Sequence, residues 1–295
     1  LLAQPLLTLS PASPDLTPPG RLDVEVHADW GNDFGFENGP GGRARDLFYL
    51  LDGEHRSLAV TVRRGLGSRA MVGVRTGLQW RGGGALDPVI DRFHRLFGFP
   101  DSGRPLYPTG RLVVEGRHED GAAIAWTGRA GTGLLPLEAE GAWRLGAEGR
   151  DTSAVRVRLR LPTATGAFRG SGGGIGAQWL AARGLGDRFD AFLGFGVTAL
   201  GPEDVHGLRY RTRREQGFLA LEWRPGRAVS LLGQLEGSSR LLASVRSYPG
   251  FQLALRLGAA IDVGRVRLRG GFVEGIKDLE NTADFGVFFG VSRRF

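Results

Sequence analysis

Three charge ladders hold most of the chemistry available to this chain. Asp23, Glu25, His27 and Asp29 fall on every second position of one segment. Arg156, Arg158 and Arg160 do so in a second, and Arg265, Arg267 and Arg269 in a third. Alternate spacing puts each set on one face of an extended strand. Acidic and basic ladders opposed across a water-filled space create a transverse field that orients and filters solutes. Set side by side, the same charges neutralise one another and fill an interior. The spacing alone supports either arrangement.

A second constellation comprises Asp87, Asp91 and His94, separated by four and three residues. On a helix their oxygens and imidazole share one side and can converge on a divalent cation. The same triplet also serves as a solvated face, with Asp87 complementing the helix dipole. His94 as the base of a lipid-modifying hydrolase requires a partnered serine, and Ser68, Ser171 and Ser230 sit in no nucleophile motif. His27, His55, His118 and His206 are scattered singly. The absence of cysteine removes disulfides, thiolate metal sites and a cysteine nucleophile. The glycine-rich run 170–174 is followed by neither lysine nor a helix pattern, so it is not a phosphate loop. No cofactor and no metal are expected, and enzymatic activity is the weaker expectation.

The elements that position these residues follow from periodicity. From Arg21 onward apolar and polar residues alternate, as in Leu22, Val24, Val26 and Ala28 between the acidic ladder, or Val155, Val157 and Leu159 between arginines. The runs are about ten residues long, which suits a tilted strand crossing a bilayer and is about twice the usual strand of a soluble sandwich. They predict an all-β fold: a transmembrane antiparallel up-and-down barrel over residues 21–295, with about fourteen strands and twelve as the alternative. Strands are expected at 111–118 and 122–130 among others, and a long loop at 31–53. Short turns near 65–68, 184–187, 225–226 and 263–264 alternate with longer links. Trp30, Trp80, Trp179, Trp223, Tyr210 and Phe295 gather near strand ends as a membrane girdle requires. The net charge of +7 rests on arginine, with Lys277 the sole lysine. Alternation with lipid-facing Val and Leu argues against a nucleic-acid surface.

Residues 1–20, with Pro5, Pro11, Pro14, Pro18 and Pro19, read as an extended leader following a trimmed signal segment. One short amphipathic helix is predicted within the 81–110 loop. Asp87 caps it, Pro88 opens it and Gly98 stops it. Leu86, Val89, Ile90, Phe93 and Phe97 form its apolar stripe. Such a helix either enters the barrel mouth as a plug or lid, or rests on the outer-leaflet interface.

Two resemblances extend this reading. The final alternation through Phe285, Val287, Phe289 and Val291 to Phe295 resembles the assembly signal of Gram-negative outer-membrane barrels, with Arg293 where an apolar residue is usual. The stretch Gly82-Gly83-Gly84-Ala85-Leu86-Asp87 resembles the central signature of the bacterial family called domain of unknown function 3187. So do Ile90-Asp91, Phe93-His94, Phe97-Gly98, Pro100 and Gly103-Arg104. Leu51-Asp52-Gly53-Glu54, Leu161-Pro162 and Gly170-Ser171-Gly172-Gly173 fit the same pattern in order. That resemblance implies an outer-membrane barrel and assigns no catalytic residue. The expected surroundings are outer-membrane lipid, lipopolysaccharide and the barrel-assembly machinery. The expected function is a pore or transporter for an unidentified small solute, selected by the charged lumen. A hydrolase using His94 and a plugged structural barrel are the alternatives.

Overall fold

The computed structural model describes residues 3, 7–38, 47–98, 107–146, 149–201, 204–243, 245, 250–277 and 283–295. The elements are β1 (Leu22–Asn38), β2 (Leu47–Gly65), β3 (Ala70–Gly82), α1 (Asp87–Phe97), β4 (Val113–Gly116), β5 (Gly131–Leu134), β6 (Glu138–Arg144), β7 (Thr152–Arg160), β8 (Gly174–Gly184), β9 (Phe189–Leu200), β10 (Asp204–Val205), β11 (Leu208–Arg209), β12 (Arg213–Trp223), β13 (Val229–Ser239), β14 (Phe251–Val263), β15 (Val266–Lys277) and β16 (Ala283–Arg294).

Twelve of these strands close an antiparallel barrel in the order β1-β2-β3-β6-β7-β8-β9-β12-β13-β14-β15-β16, and β16 returns to β1. Closure leaves no edge strand along the wall. Two short strands bring the sheet to fourteen without being full staves. β4 pairs with β2 at Tyr49–Asp52, above the point where β3 ends. β5 continues the line of β6 along β3, with Pro136 between the two. Proline lacks the ladder N–H, so the stave breaks there. Residues 122–128 form no named strand, although they alternate as one would. Ile124 and Trp126 pack against a loop cluster rather than lipid.

Nor is 31–53 a loop throughout. β1 and β2 pair from Leu22↔Arg64 as far as Asn38↔Leu47 and rise above the neighbouring staves. Both faces of this hairpin are covered. Phe34, Phe36 and Leu50 pack with Val113 and Tyr107, while Tyr49 and Leu51 join the cluster over the lumen.

The short turns, the start of β1 and Phe295 share one end, the periplasmic end of an outer-membrane barrel; the longer links lie at the other. Val26, Leu58, Val60, Val74 and Leu78 are exposed on the outer wall, where they meet lipid. Trp143, Trp179, Trp223 and Phe189 lie outward, and Phe189 stacks on Trp223 with centroids 6.4 Å apart. These rings supply the aromatic girdle.

Helix α1 docks on this outer wall, not in the mouth. Leu86 and Ile90 bury against Phe285, with Trp30 and Phe272 beside them, and all three aromatic residues face outward by register. Asp87, expected on a solvated face, is buried instead. It accepts from Asn32 Nδ2 at 3.0 Å and from the Gly110 amide at 2.7 Å. Glu54 accepts from the Leu86 amide and from Trp30 Nε1. The side chains of Phe93, His94 and Phe97 lie outside the described residues.

Candidate solute pathway through the barrel

Register places Asp23, Glu25, His27 and Asp29 on one face of β1, opposite Arg294, Ser292, Gly290 and Phe288 of β16. Arg267 and Arg269 share the lumenal face of β15, and Arg156, Arg158 and Arg160 that of β7. Arg265 stands in the exposed turn before β15. The two arginine ladders are joined to the acidic strand along the wall rather than opposed to it. Arg269 pairs with Glu25, and Glu25 with Arg63 Nη1 at 2.7 Å. Arg63 Nε reaches Glu140 Oε1 at 2.6 Å. Glu140 also meets Arg158 at 3.3 Å and Arg156 at 3.8 Å. Arg158 and Arg75 share Glu138. The belt runs through seven adjacent staves, from β15 to β7. Two of its links cross a whole strand, and both cross at a glycine. A Cβ on Gly73 would stand 3.0 Å from the Glu140 side chain, and one on Gly290 would stand 2.5 Å from Arg269 Nε.

The remaining lumen is filled from an unexpected source. Residues 7–20 run inside the barrel. Leu7 and Leu9 are 0% and 2% exposed, and Pro14 and Leu16 are buried as well. This strap enters at the periplasmic rim, where the Gly20 amide donates to Gly65 O at 3.1 Å. Leu16 packs with Met71, Ala142 and Ala154; Ala12 lies against Leu180, Phe218 and Ala220; Ala3 touches the cluster that roofs the barrel. The Leu9 amide donates to Gln216 Oε1 at 2.9 Å, and Arg158 Nη1 donates to Thr8 O at 3.1 Å. Proline suits this route because it holds the chain extended and brings no N–H to satisfy. The β7–β12 wall makes room with small residues. A Cβ on Gly176 would stand 2.9 Å from Leu9, and one on Gly196 would stand 2.6 Å from it.

Above the strap, loops form a roof. Tyr49, Leu51, Val114, Val205, Leu208, Tyr210, Leu241, Leu242 and Val245 make one buried cluster. Arg81, 2% exposed, ties its parts together. Its guanidinium donates to Arg129 O at 2.7 Å and Ala167 O at 2.6 Å, between the rings of Trp126 and Phe168. His206 Nε2 lies 3.5 Å from it. His206 occupies a left-handed turn, φ 56°, followed by Gly207, φ 78°. Burial, then the adjacent Arg81 charge, holds its imidazole pKa below the ordinary value.

Between strap and wall remains a cavity of about 420 Å³. Its lining includes four carboxylates, Asp29, Asp33, Glu138 and Glu236, and four guanidiniums, Arg75, Arg160, Arg214 and Arg256. Asp29 accepts from Ser57 at 2.9 Å and meets His27 at 2.8 Å; Glu236 meets Arg256 at 2.6 Å. Phe288 is sandwiched at the wall, with Arg256 4.7 Å from its ring and His27 stacked at 6.1 Å. Among the described residues no group of three or more His, Asp or Glu side chains is arranged to hold a metal ion.

Sequence reasoning read the arginine and acidic ladders but passed over the strap, Arg81 and the glycines at the crossings. Leu7 and Leu9 among prolines are a signal for the strap, since an exposed extended leader has no use for them. The glycines carry one too, because Gly73, Gly176, Gly196 and Gly290 all fall on the polar phase of their strands.

Comparison with solved structures bears on the fold. The COG4313 outer membrane channel from Pseudomonas putida F1 matches 98% of this chain and all of its own, at 13% identity and a TM-score of 0.60. The KdgM and NanC porins each match 92% of this chain and 99% and 97% of their own, at 6% identity and a TM-score of 0.48. No curated protein matches the chain. The Pseudomonas channel shares the barrel architecture. The chain belongs to the DUF3187 family of proteins of unknown function, whose family model matches residues 1–295.

Proposed function

We propose that this barrel is an outer-membrane pore for small dipolar solutes, held closed in this state by its own strap. The observation that carries the reading is the cavity beside the strap, whose carboxylates and guanidiniums are equal in number. A lumen of one sign favours ions of the other; a balanced one favours a solute carrying both charges or a large dipole. The likeness to a protein named an outer membrane channel supports a pore over a scaffold. The ion-pair belt then serves as a rigid charged wall, and the ladders that compose it set selectivity. Phe289 and Val291 on the outer face of β16, with Phe295, serve recognition by the barrel-assembly machinery.

Single-channel recording in a planar bilayer tests this, comparing the wild-type chain with a variant lacking residues 7–18. The deletion is expected to conduct several-fold more than wild type, with little preference between small cations and anions. Silence from both would sink the pore and favour a plugged structural barrel.

A further inference from the structure

The outer wall carries a charge that a lipid-facing surface has no structural use for. Arg56 is the direct partner of Trp30 on one side and Trp80 on the other, so all three stand on the outward face. Its guanidinium lies 4.3 Å from the Trp30 ring and 4.6 Å from the Trp80 ring. The two indoles fix it flat against the barrel while its side chain stays 43% exposed. Among the described residues its one ion-pair partner is Glu54 at 3.4 Å, a carboxylate with no exposure that already accepts from Trp30 Nε1 and the Leu86 amide. Arg56 Nε is buried and has no hydrogen-bond partner among the described residues. With Nε held inward, the end of the planar fork that can face out is its pair of Nη nitrogens, of which Nη2 reaches Glu54 only at 3.4 Å.

Depth says what faces it. On β2 the outward positions below Arg56 are Leu58, Val60 and Val62, and the next is Arg64. Eight residues span about 27 Å along the strand, or about 20 Å of membrane depth once it tilts, within the apolar band of about 25 Å. Arg56 therefore stands where hydrocarbon gives way to headgroups on the long-loop side. Directly above it α1 lies along the wall with Val89 and Leu96 exposed beside Arg92. This is the pattern of a helix bedded in an interface. We propose that Arg56, clamped between Trp30 and Trp80, binds the phosphate headgroup of an outer-leaflet lipid. The fork matches phosphate oxygens, and the rings pack the first carbons of the chains.

Native mass spectrometry of the detergent-solubilised full chain tests this with short-chain phosphatidic acid, the diacylglycerol of the same chains, and inorganic phosphate as competitor. The wild-type protein is expected to retain one more phosphatidic acid than Arg56→Gln, and no diacylglycerol. Arg188→Gln, in an exposed turn at the other end, is expected to retain as many as wild type. Arg56→Lys keeps charge and packing but not the fork, guards against a folding failure, and is expected to retain several-fold less. Equal retention by wild type and R56Q, or by wild type and R56K if R56Q does not fold, overturns the proposal. Displacement by equimolar inorganic phosphate would reassign the site to the free ion and overturn the lipid.

Discussion

Arg63 and Glu140 stand on strands that are not neighbours, yet their side chains meet at 2.6 Å. β3 lies between them, and Gly73 is the residue of β3 at the crossing. Side chains directly across one strand pair are about 5 Å apart, so skipping a strand needs a gap in the middle one. Gly290 does the same for Arg269 and Glu25. The lumenal belt is thus written as much in two glycines as in its charges.

Gly73→Val should therefore act as a charge mutation. The new side chain displaces the Glu140 carboxylate and leaves Arg63, Arg156 and Arg158 short of their shared partner. Breaking a buried pair from one side costs about 3–5 kcal/mol. Glu140→Gln should cost a similar amount, and the double variant less than the sum. Urea unfolding in detergent micelles measures this; additive losses would show that the glycine acts elsewhere.

Gly176→Val should loosen the strap without disturbing the sheet. Its Cβ would meet Leu9 Cδ2 and Thr198 Cγ2, each at 2.9 Å and each a side-chain atom. Conductance in a planar bilayer should rise toward that of the strap deletion, and heat-modifiable migration should stay unchanged. A wild-type current from the variant would place the closure in the roof instead.

The roof should loosen in acid. His206 is held below its ordinary pKa of 6.5, so the folded state prefers the neutral ring. The contact with Arg81 is at full strength above 6.5 and is lost as pH falls through the lowered value, because protonation sets two cations together. The Thr127 amide, which donates to His206 O at 2.9 Å, reports this by its hydrogen-exchange protection factor. His206→Asn, which tolerates the left-handed turn, should abolish the acid step.

Asp87→Ala should release α1. Asn32 Nδ2 and the Gly110 amide lose this acceptor in a buried setting, at about 1–3 kcal/mol each. Limited proteolysis should then cut within 81–110 at a protease level that spares the wild type.

What was legible in the sequence follows from where each signal is generated. The extent of α1 comes from Pro88 and Gly98, whose effects are local; Asp87, expected as the cap, is instead the first helical residue, and its carboxylate accepts from Asn32 and Gly110. The charge ladders come from a period of two, which survives any strand count. The number of staves came through to within two, fourteen strands in the sheet and twelve in the closed wall, because Val113–Gly116 alternates like a stave while being covered by the roof on one face and the β1–β2 hairpin on the other. β1 beyond Trp30 reads as loop because Gly31, Asn32, Asp33 and Gly35 interrupt the apolar phase; long-range pairing with β2 keeps it extended. The strap was hidden for a different reason. A proline-rich segment has no period of its own, and its burial is decided by distant wall residues: Gly176 and Gly196 make room for Leu9, and Met71, Ala142 and Ala154 receive Leu16.

The strap's attachment also makes the barrel a directional mechanical element. Its covalent join to the wall is at Gly20, in a left-handed conformation (φ 71°) beside Gly65 at the periplasmic rim. Tension applied there draws the strap lengthwise past Leu180, Met71 and Ala154, breaking its contacts a few at a time. A push from the opposite side loads the roof and the strap together, and every contact resists at once. The same contacts are therefore weak against force from the cell side and strong against force from outside.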